Sequence, residues 1–257
     1  MSIFVLLAGA STGLMLGILG SGGSIVTLPA FIYLLGVDPK PAIAMSLGVV
    51  GLTAGISALQ HGWRGNVNLR IVLIFGLLGA IGTFAGAKIG IILPDVLQLV
   101  MFALIMYAAA YKMIRPSPAA AAAANENAAP SLRYVHIALH GVIVGILTGI
   151  VGVGGGFLIV PALVLLSGLG MKEAIGTSLA IIALKSFAGF VGYAGSVPID
   201  WQLMAVFSAV AVSAGFVGGL ISHRIPAGIL KSSFAVFLLL VASYMLFEEI
   251  STVAAFS

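Results

Sequence analysis

Two glycine runs and one lysine carry the chemistry available to this chain. Gly20-Ser21-Gly22-Gly23-Ser24 leads to Pro29, and Gly152-Val153-Gly154-Gly155-Gly156 leads to Pro161, each run lying inside a long apolar stretch. Backbone unwound by glycine within a bilayer must be buried in protein or line a wet cavity, because each unpaired peptide group costs several kcal/mol there. The helix that restarts after such a run, near Ile25 or Phe157, presents N–H groups without intrahelical partners and the positive end of its dipole. An anion suits that environment. Close packing through small residues explains the four-residue spacings Gly13/Gly17, Gly82/Gly86/Gly90 and Gly215/Gly219 better than it explains the clustered glycines. No soluble strand-turn-helix unit surrounds either run, which sets aside a nucleotide-binding loop.

Lys185 stands near the middle of an apolar segment, in Ala183-Leu184-Lys185-Ser186-Phe187. An unpaired lysine at that depth costs ~2.5–3.5 kcal/mol on insertion scales, so it is a functional candidate by default. Asp38, Asp95, Glu126, Glu173, Asp200, Glu248 and Glu249 all fall in joints or near segment ends, so no acid inside an apolar segment pairs with it. A bound anion, or carbonyls of the broken helices, would compensate the charge; the plainer alternative is a lysine bonded to carbonyls or left neutral by burial. Ser46, Thr177 and Ser178, near the starts of their segments, are candidate hydroxyl donors to substrate oxygens, although such residues also bond to their own preceding carbonyls. The candidate substrate-binding set is therefore Gly20, Ser21, Gly22, Gly23, Ser24, Ser46, Gly152, Gly154, Gly155, Gly156, Thr177, Ser178 and Lys185.

Other ionisable residues point to bland roles. Lys88, six residues before Pro94, reads as a side chain snorkelling to an interface. His61, His136, His140 and His223 lie at or near segment ends without metal-ligand spacing, His61 and His140 being the better candidates for handling protons. The absence of a buried carboxylate relay argues against a proton pump or a cation pathway. No paired carboxylates, Ser/His/Asp arrangement or metal constellation supports an enzyme, and no cofactor or metal is implied. The sequence has no cysteine, so it offers no disulfide or thiolate site.

The elements that position these residues are membrane spans. At 61% hydrophobic and 7% charged, with a mean hydropathy of +1.25, the chain is far from the roughly 25% charge of a soluble domain. Its 257 residues are read as spans of about 20 residues each. Met1-Ser2-Ile3-Phe4-Val5 lacks a basic n-region and reads as part of the fold, not as a cleaved signal peptide. The net charge of +4 comes from basic residues placed singly at segment ends, which suits topology and gives no nucleic-acid surface. Apolar segments cover 2–19, 25–36, 42–60, 71–93, 96–114, 134–151, 157–168, 174–194, 201–222 and 229–247. The long joint, 115–133, holds Arg115-Pro116-Ser117-Pro118, an alanine run and Pro130.

Residues 1–114 and 134–257 read as two copies of one unit. A constant offset of 132 yields 15 identities over the 35 positions from Gly13/Gly145 to Leu47/Leu179, among them Gly17/Gly149, Pro29/Pro161, Lys40/Lys172 and Ser46/Ser178. It also pairs Gly86 with Gly218 and Pro94 with Pro226. Chance similarity between apolar segments would scatter over Leu, Ile, Val and Ala; matched glycines, prolines and a lysine indicate duplication. If residues 2–36 cross once, basic residues divide five against five between the two sides. If they go in and come back, one side collects Arg64, Arg70, Lys112, Arg115, Arg133, Lys172, Arg224 and Lys231, leaving Lys40 and Lys88 opposite. The positive-inside rule selects the second arrangement, with the halves inverted, the linker 115–133 cytoplasmic and both termini outside. Segment 25–36 rises only about 18 Å as a helix, so a re-entrant half-helix meeting its partner near mid-membrane is expected.

Gly17-x-x-Gly20-x-Gly22-Gly23 with Pro29 and Ala42-x-x-x-Ser46-Leu47, and then Gly149-x-x-Gly152-x-Gly154-Gly155-Gly156 with Pro161 and Ala174-Ile175-Gly176-Thr177-Ser178-Leu179, resemble the TauE/SafE sulfite exporter family of bacterial and archaeal inner-membrane permeases. The resemblance spans both halves. It implies transport of sulfite, organosulfonates or related small organic anions. The first copy departs from the pattern at Ser24 and at Ala44-Met45, which stand where the second has Gly156 and Gly176-Thr177.

The expectation is thus an all-α polytopic membrane protein of two inverted repeats, each a glycine-broken helix pair plus three transmembrane helices. It would be a secondary transporter, an exporter, of small sulfur-containing anions by alternating access in the inner (plasma) membrane. A passive anion channel, a permease for a non-sulfur organic anion and a non-transporting membrane protein are the alternatives. The expected partners are a small anionic substrate and the lipid bilayer, with self-association into a homo-oligomer left open.

Overall fold

A computed structural model describes residues 3–19, 23–114, 130–152, 169–221, 235–236 and 238–248, together with Ile159 and Leu163. The described residues form nine helices and no strands. They are α1 (Ile3–Leu19), α2 (Gly23–Pro29, continued by a π-helical turn Ala30–Leu34), α3 (Pro39–Trp63), α4 (Leu69–Ile92), α5 (Asp95–Ile114), α6 (Pro130–Val151), α7 (Met171–Tyr193), α8 (Trp201–Ile221) and α9 (Leu238–Glu248). Within the spans Pro39–Trp63, Leu69–Ile92, Glu173–Tyr193 and Trp201–Ile221 the helices are long and apolar enough to cross a bilayer. Segment 157–168, the linker residues 115–129 and Pro161 lie outside the described residues, apart from Ile159 and Leu163.

Local sequence explains where these helices start and stop. Pro39 and Pro41 open α3, where a missing N–H leaves no helical bond unmade. Asn68 caps α4, its side-chain oxygen accepting from Ile71 N at 3.3 Å, and Asp200, 132 residues later, caps α8 through Leu203 N at 2.9 Å. Pro29 removes a backbone donor from α2, and the turn after it widens to π geometry. Helix α2 doubles back along α1: Gly23 sits against Leu16 and the Thr12 carbonyl, and Thr27 Oγ1 reaches Thr12 Oγ1 at 3.5 Å.

Glycine decides which helices touch. A Cβ at Gly13 would strike the Ala211 carbonyl, and one at Gly17 the Gly215 carbonyl, so α1 and α8 pack backbone to backbone and run parallel. The same contacts recur at the 132-residue offset, Gly145 against the Gly79 carbonyl and Gly149 against the Thr83 carbonyl, between α6 and α4. Such close approach is how membrane helices gain dispersion energy without a hydrophobic driving force. Between α3 and α7 the order reverses: Gly48 meets Phe190, Gly51 meets Phe187 and Gly55 meets Ala183, so these two helices run antiparallel. Gly79 against Lys185 and Gly189 against Thr83 set α4 parallel to α7, while Gly48 against Met204 and Gly215 against Thr53 set α8 parallel to α3.

Large apolar side chains cover the outside, and a set of polar ones is buried within a mainly apolar core. Leu7, Trp63, Ile81, Ile92, Val191 and Phe247 are exposed, whereas Thr12, Thr27, Ser46, Thr53, Thr83, Gln98, Thr177, Ser178, Lys185 and Ser186 are buried. That distribution is the one expected of a bundle solvated by lipid. Its aromatic packing includes Phe31 on Phe207, with ring centroids 4.8 Å apart.

Candidate functional site

Helix α6 ends inside the bundle, and side chains from three other helices satisfy its last carbonyls. Gly152 adopts φ +75, a left-handed conformation that glycine reaches without strain, and its N–H still bonds to Thr148 O at 2.9 Å. A Cβ there would also collide with Ile43. The Ile150 carbonyl accepts from Gln98 Nε2 at 2.7 Å and from Tyr193 OH at 3.1 Å, the two donors lying 3.0 Å apart. Gly90 makes room for this group, since a Cβ there would meet the Tyr193 hydroxyl. The Gly152 carbonyl accepts from Ser46 Oγ at 2.9 Å, and Ile43 O lies at the same distance from that hydroxyl. Ser46 therefore directs its single proton to backbone carbonyls and serves as a cap on the broken helix.

Lys185 occupies the centre of the bundle. Its residue is fully buried, its stem packs on Gly79 of α4, where a Cβ would lie 3.0 Å from Lys185 Cδ, and its Nζ has no hydrogen-bond partner among the described residues. The neighbouring Ser186 Oγ is likewise buried without a partner. Lys185 and Thr53 are 132 residues apart, and the contacts Gly51–Phe187 and Gly55–Ala183 bracket them at a common level where α3 crosses α7. The two are not chemically alike: Thr53 Oγ1 donates to Val49 O at 2.8 Å within its own helix. Among the described residues, Lys185 is the one Lys, Arg, Asp or Glu that is buried.

The third group lies at the opposite end of the crossing from Ser46. Thr177 Oγ1 accepts from Asn68 N at 2.9 Å, Asn68 Nδ2 donates to Glu173 Oε1 at 3.1 Å, and Gly176 lets the Asn66 carbonyl approach. Ser178 Oγ donates to Ile175 O at 2.8 Å. Ser46 and Ser178 each lie seven residues from the Thr53/Lys185 level, on opposite sides, about 21 Å apart along the helix direction at 1.5 Å per residue. The residues expected to surround one anion thus occupy three levels: Ser46 with Gly152, then Lys185, then Thr177 with Ser178. Gly23 lies against α1, its carbonyl accepting from Thr27 Oγ1 at 2.7 Å. Gly20, Ser21, Gly22, Gly154, Gly155 and Gly156 lie outside the described residues, as does the side chain of Ser24.

Of the remaining candidates, Lys88 is exposed with Nζ 5.7 Å from the centre of the Phe84 ring, consistent with snorkelling, and Lys40 pairs with Asp95 at 3.4 Å. His61 is buried at the α3 end, with its Cβ close to Gly176, while His223 lies outside the described residues. No group of His, Cys, Asp or Glu that could hold a metal occurs among the described residues. Sequence reasoning missed Gln98 and Tyr193. The usable signal was a glutamine placed inside an apolar helix, which has to find a partner there.

Comparison with known proteins agrees with this architecture. The family described as "Sulfite exporter TauE/SafE" matches residues 5–245. A probable membrane transporter protein of Xylella fastidiosa (strain 9a5c) is 31% identical over 251 residues, covering 96% of each chain. The probable membrane transporter protein YdhB of Bacillus subtilis is 26% identical over 222 residues, covering 86% of this chain and 90% of its own. A probable membrane transporter protein of Haemophilus influenzae is 25% identical over 263 residues, covering 95% and 97%. No solved structure matches the chain. With the family matched over nearly the whole length of a bundle of apolar helices, the chain belongs to the TauE/SafE family of membrane transporters.

Proposed function

We propose that this membrane transporter moves small sulfur-containing anions, such as sulfite or organosulfonates, out of the cell by alternating access, with Lys185 as the central binding group. The observation that carries the reading is the fully buried Lys185 Nζ without a partner, at the level where α3 and α7 cross. A cation held there needs a counter-charge, and an anion supplies it. Ser46, which holds the Gly152 carbonyl, and Ser178 lie at the two ends of that crossing, on either side of the site.

Residues 1–114 and 134–257 are the two repeats, inverted with respect to each other, with 115–133 as a cytoplasmic linker. Three observations support the inversion. Helices α3 and α7 are matched by the offset of 132 yet run antiparallel, which a two-fold axis along the bilayer normal does not allow. The α1–α8 contacts recur between α6 and α4 with the partners exchanged, as a two-fold axis requires. These directions also bring residues 64, 70, 112, 133 and 172 to one end of the bundle and leave Lys40 and Lys88 toward the other, which by the positive-inside rule makes the first end cytoplasmic in an inner membrane. Rocking one repeat against the other would then open Lys185 to each side in turn.

Purified protein in liposomes tests this. Saturable uptake of radiolabelled sulfite, stimulated by unlabelled anion on the far side and lost in Lys185→Gln, is the expected result. Non-saturating flux without trans-stimulation would indicate a channel, and full activity in Lys185→Gln would remove the site.

A further inference from the structure

We infer that the transported species carries one negative charge, so that a hydrogensulfite, sulfonate or carboxylate monoanion is a substrate and a dianion of the same shape is not. The inference rests on the reading of Lys185 as the binding group. Its basis is a charge inventory of the bundle interior. Every other described Asp, Glu, Lys or Arg whose side chain the structure describes is kept out of it: Asp38, Arg64, Arg70, Lys88, Asp200 and Glu248 are exposed, Lys40 and Asp95 pair with each other, and Glu173 is only partly buried and accepts from Asn68, while the buried His61 lies at the α3 end, away from the Thr53/Lys185 level. The next residue in the chain, Ser186, carries a neutral hydroxyl that is likewise buried without a partner among the described residues. Gly79, which packs on the lysine stem, adds no charge, and the Gly141 carbonyl lies close to it.

One cation and one monoanion leave the interior with no net charge. A dianion leaves one negative charge uncompensated, in the position where an unpaired lysine would have left a positive one. Insertion scales for a single uncompensated charge at the bilayer centre translate to about 100-fold in affinity.

The test uses methanesulfonate, a monoanion, and sulfate, a dianion of similar size, titrated by calorimetry into the purified full-length transporter. Methanesulfonate is expected to bind about 100-fold more tightly than sulfate, and Lys185→Gln to abolish that binding. Sulfate binding as tight as methanesulfonate, and lost in Lys185→Gln, would overturn the charge assignment while leaving Lys185 as the site. Binding of either anion that survives Lys185→Gln, or no binding of either to the native protein, would overturn the site itself. Thr53→Lys adds a second cation at the same level; where this variant folds, the preference should shift toward sulfate, and an unchanged preference counts against the charge match.

Discussion

Replacing Lys185 with methionine should make the empty transporter more stable while removing its response to anions. The Lys185 amine is fully buried with no partner among the described residues, and a cation left uncompensated at that depth costs ~2.5–3.5 kcal/mol. Methionine has nearly the same reach, flexes to fit the slot against Gly79 and leaves no cavity, so little packing energy is lost in exchange. A net gain of about 2 kcal/mol is expected, which for a chain of this size corresponds to a rise of about 4–8 °C in melting temperature. Differential scanning fluorimetry of the ligand-free protein in detergent measures this, followed by the same scan with methanesulfonate. The native protein should be stabilised by the anion and Lys185→Met should not respond. A fall in the melting temperature of the empty Lys185→Met variant would refute the reasoning, because it would mean that the ammonium is already compensated in the unliganded fold.

Other predictions follow from the broken helix and its neighbours. Gln98→Ala should lower stability by about 1–3 kcal/mol by stripping a donor from the buried Ile150 carbonyl, and combining it with Tyr193→Phe should be non-additive because both side chains serve one acceptor, as a double-mutant thermal-denaturation cycle would show. Gly152→Ala should prevent folding or expression, since it meets both the left-handed backbone and Ile43; Gly36→Ala, with φ +65 but nothing within 4 Å, should cost only about 1–2 kcal/mol. Measured membrane expression of the two variants separates packing from backbone strain. Thr177→Val should leave the Asn68 N–H without its acceptor and loosen the 64–68 loop, read as faster labelling of a cysteine introduced at Gly65.

Much of this architecture was legible in the chain itself. The positions of α1, α3, α4, α6, α7 and α8 follow from apolar runs bounded by proline, glycine and capping residues, and the ends agree within a few residues of the expected segments. Lys185 stood out because lysine in an apolar segment has few explanations, and burial without a partner is what its surroundings show. The joint site expected from Ser46, Thr177, Ser178 and Lys185 was less legible. All four lie near the start or middle of matched helices, but depth along a helix becomes a common level only when the direction and crossing point of the neighbouring helix are known. The antiparallel crossing of α3 and α7 near Thr53 and Lys185 puts Ser46 and Ser178 on opposite sides of it.

Composition and periodicity by themselves pointed to a lipid-solvated helical bundle with a lysine inside one of its apolar segments. Those properties are written in residue type and spacing, because a bilayer admits few ways to satisfy a backbone and few places for a charge. Tertiary structure alone decided which carbonyls at the end of α6 meet Gln98, Tyr193 and Ser46, and that Lys185 has no hydrogen-bond partner among the described residues. Hydrogen bonds between helices depend on distances of a few ångströms across elements far apart in sequence, and no local pattern of residues encodes them.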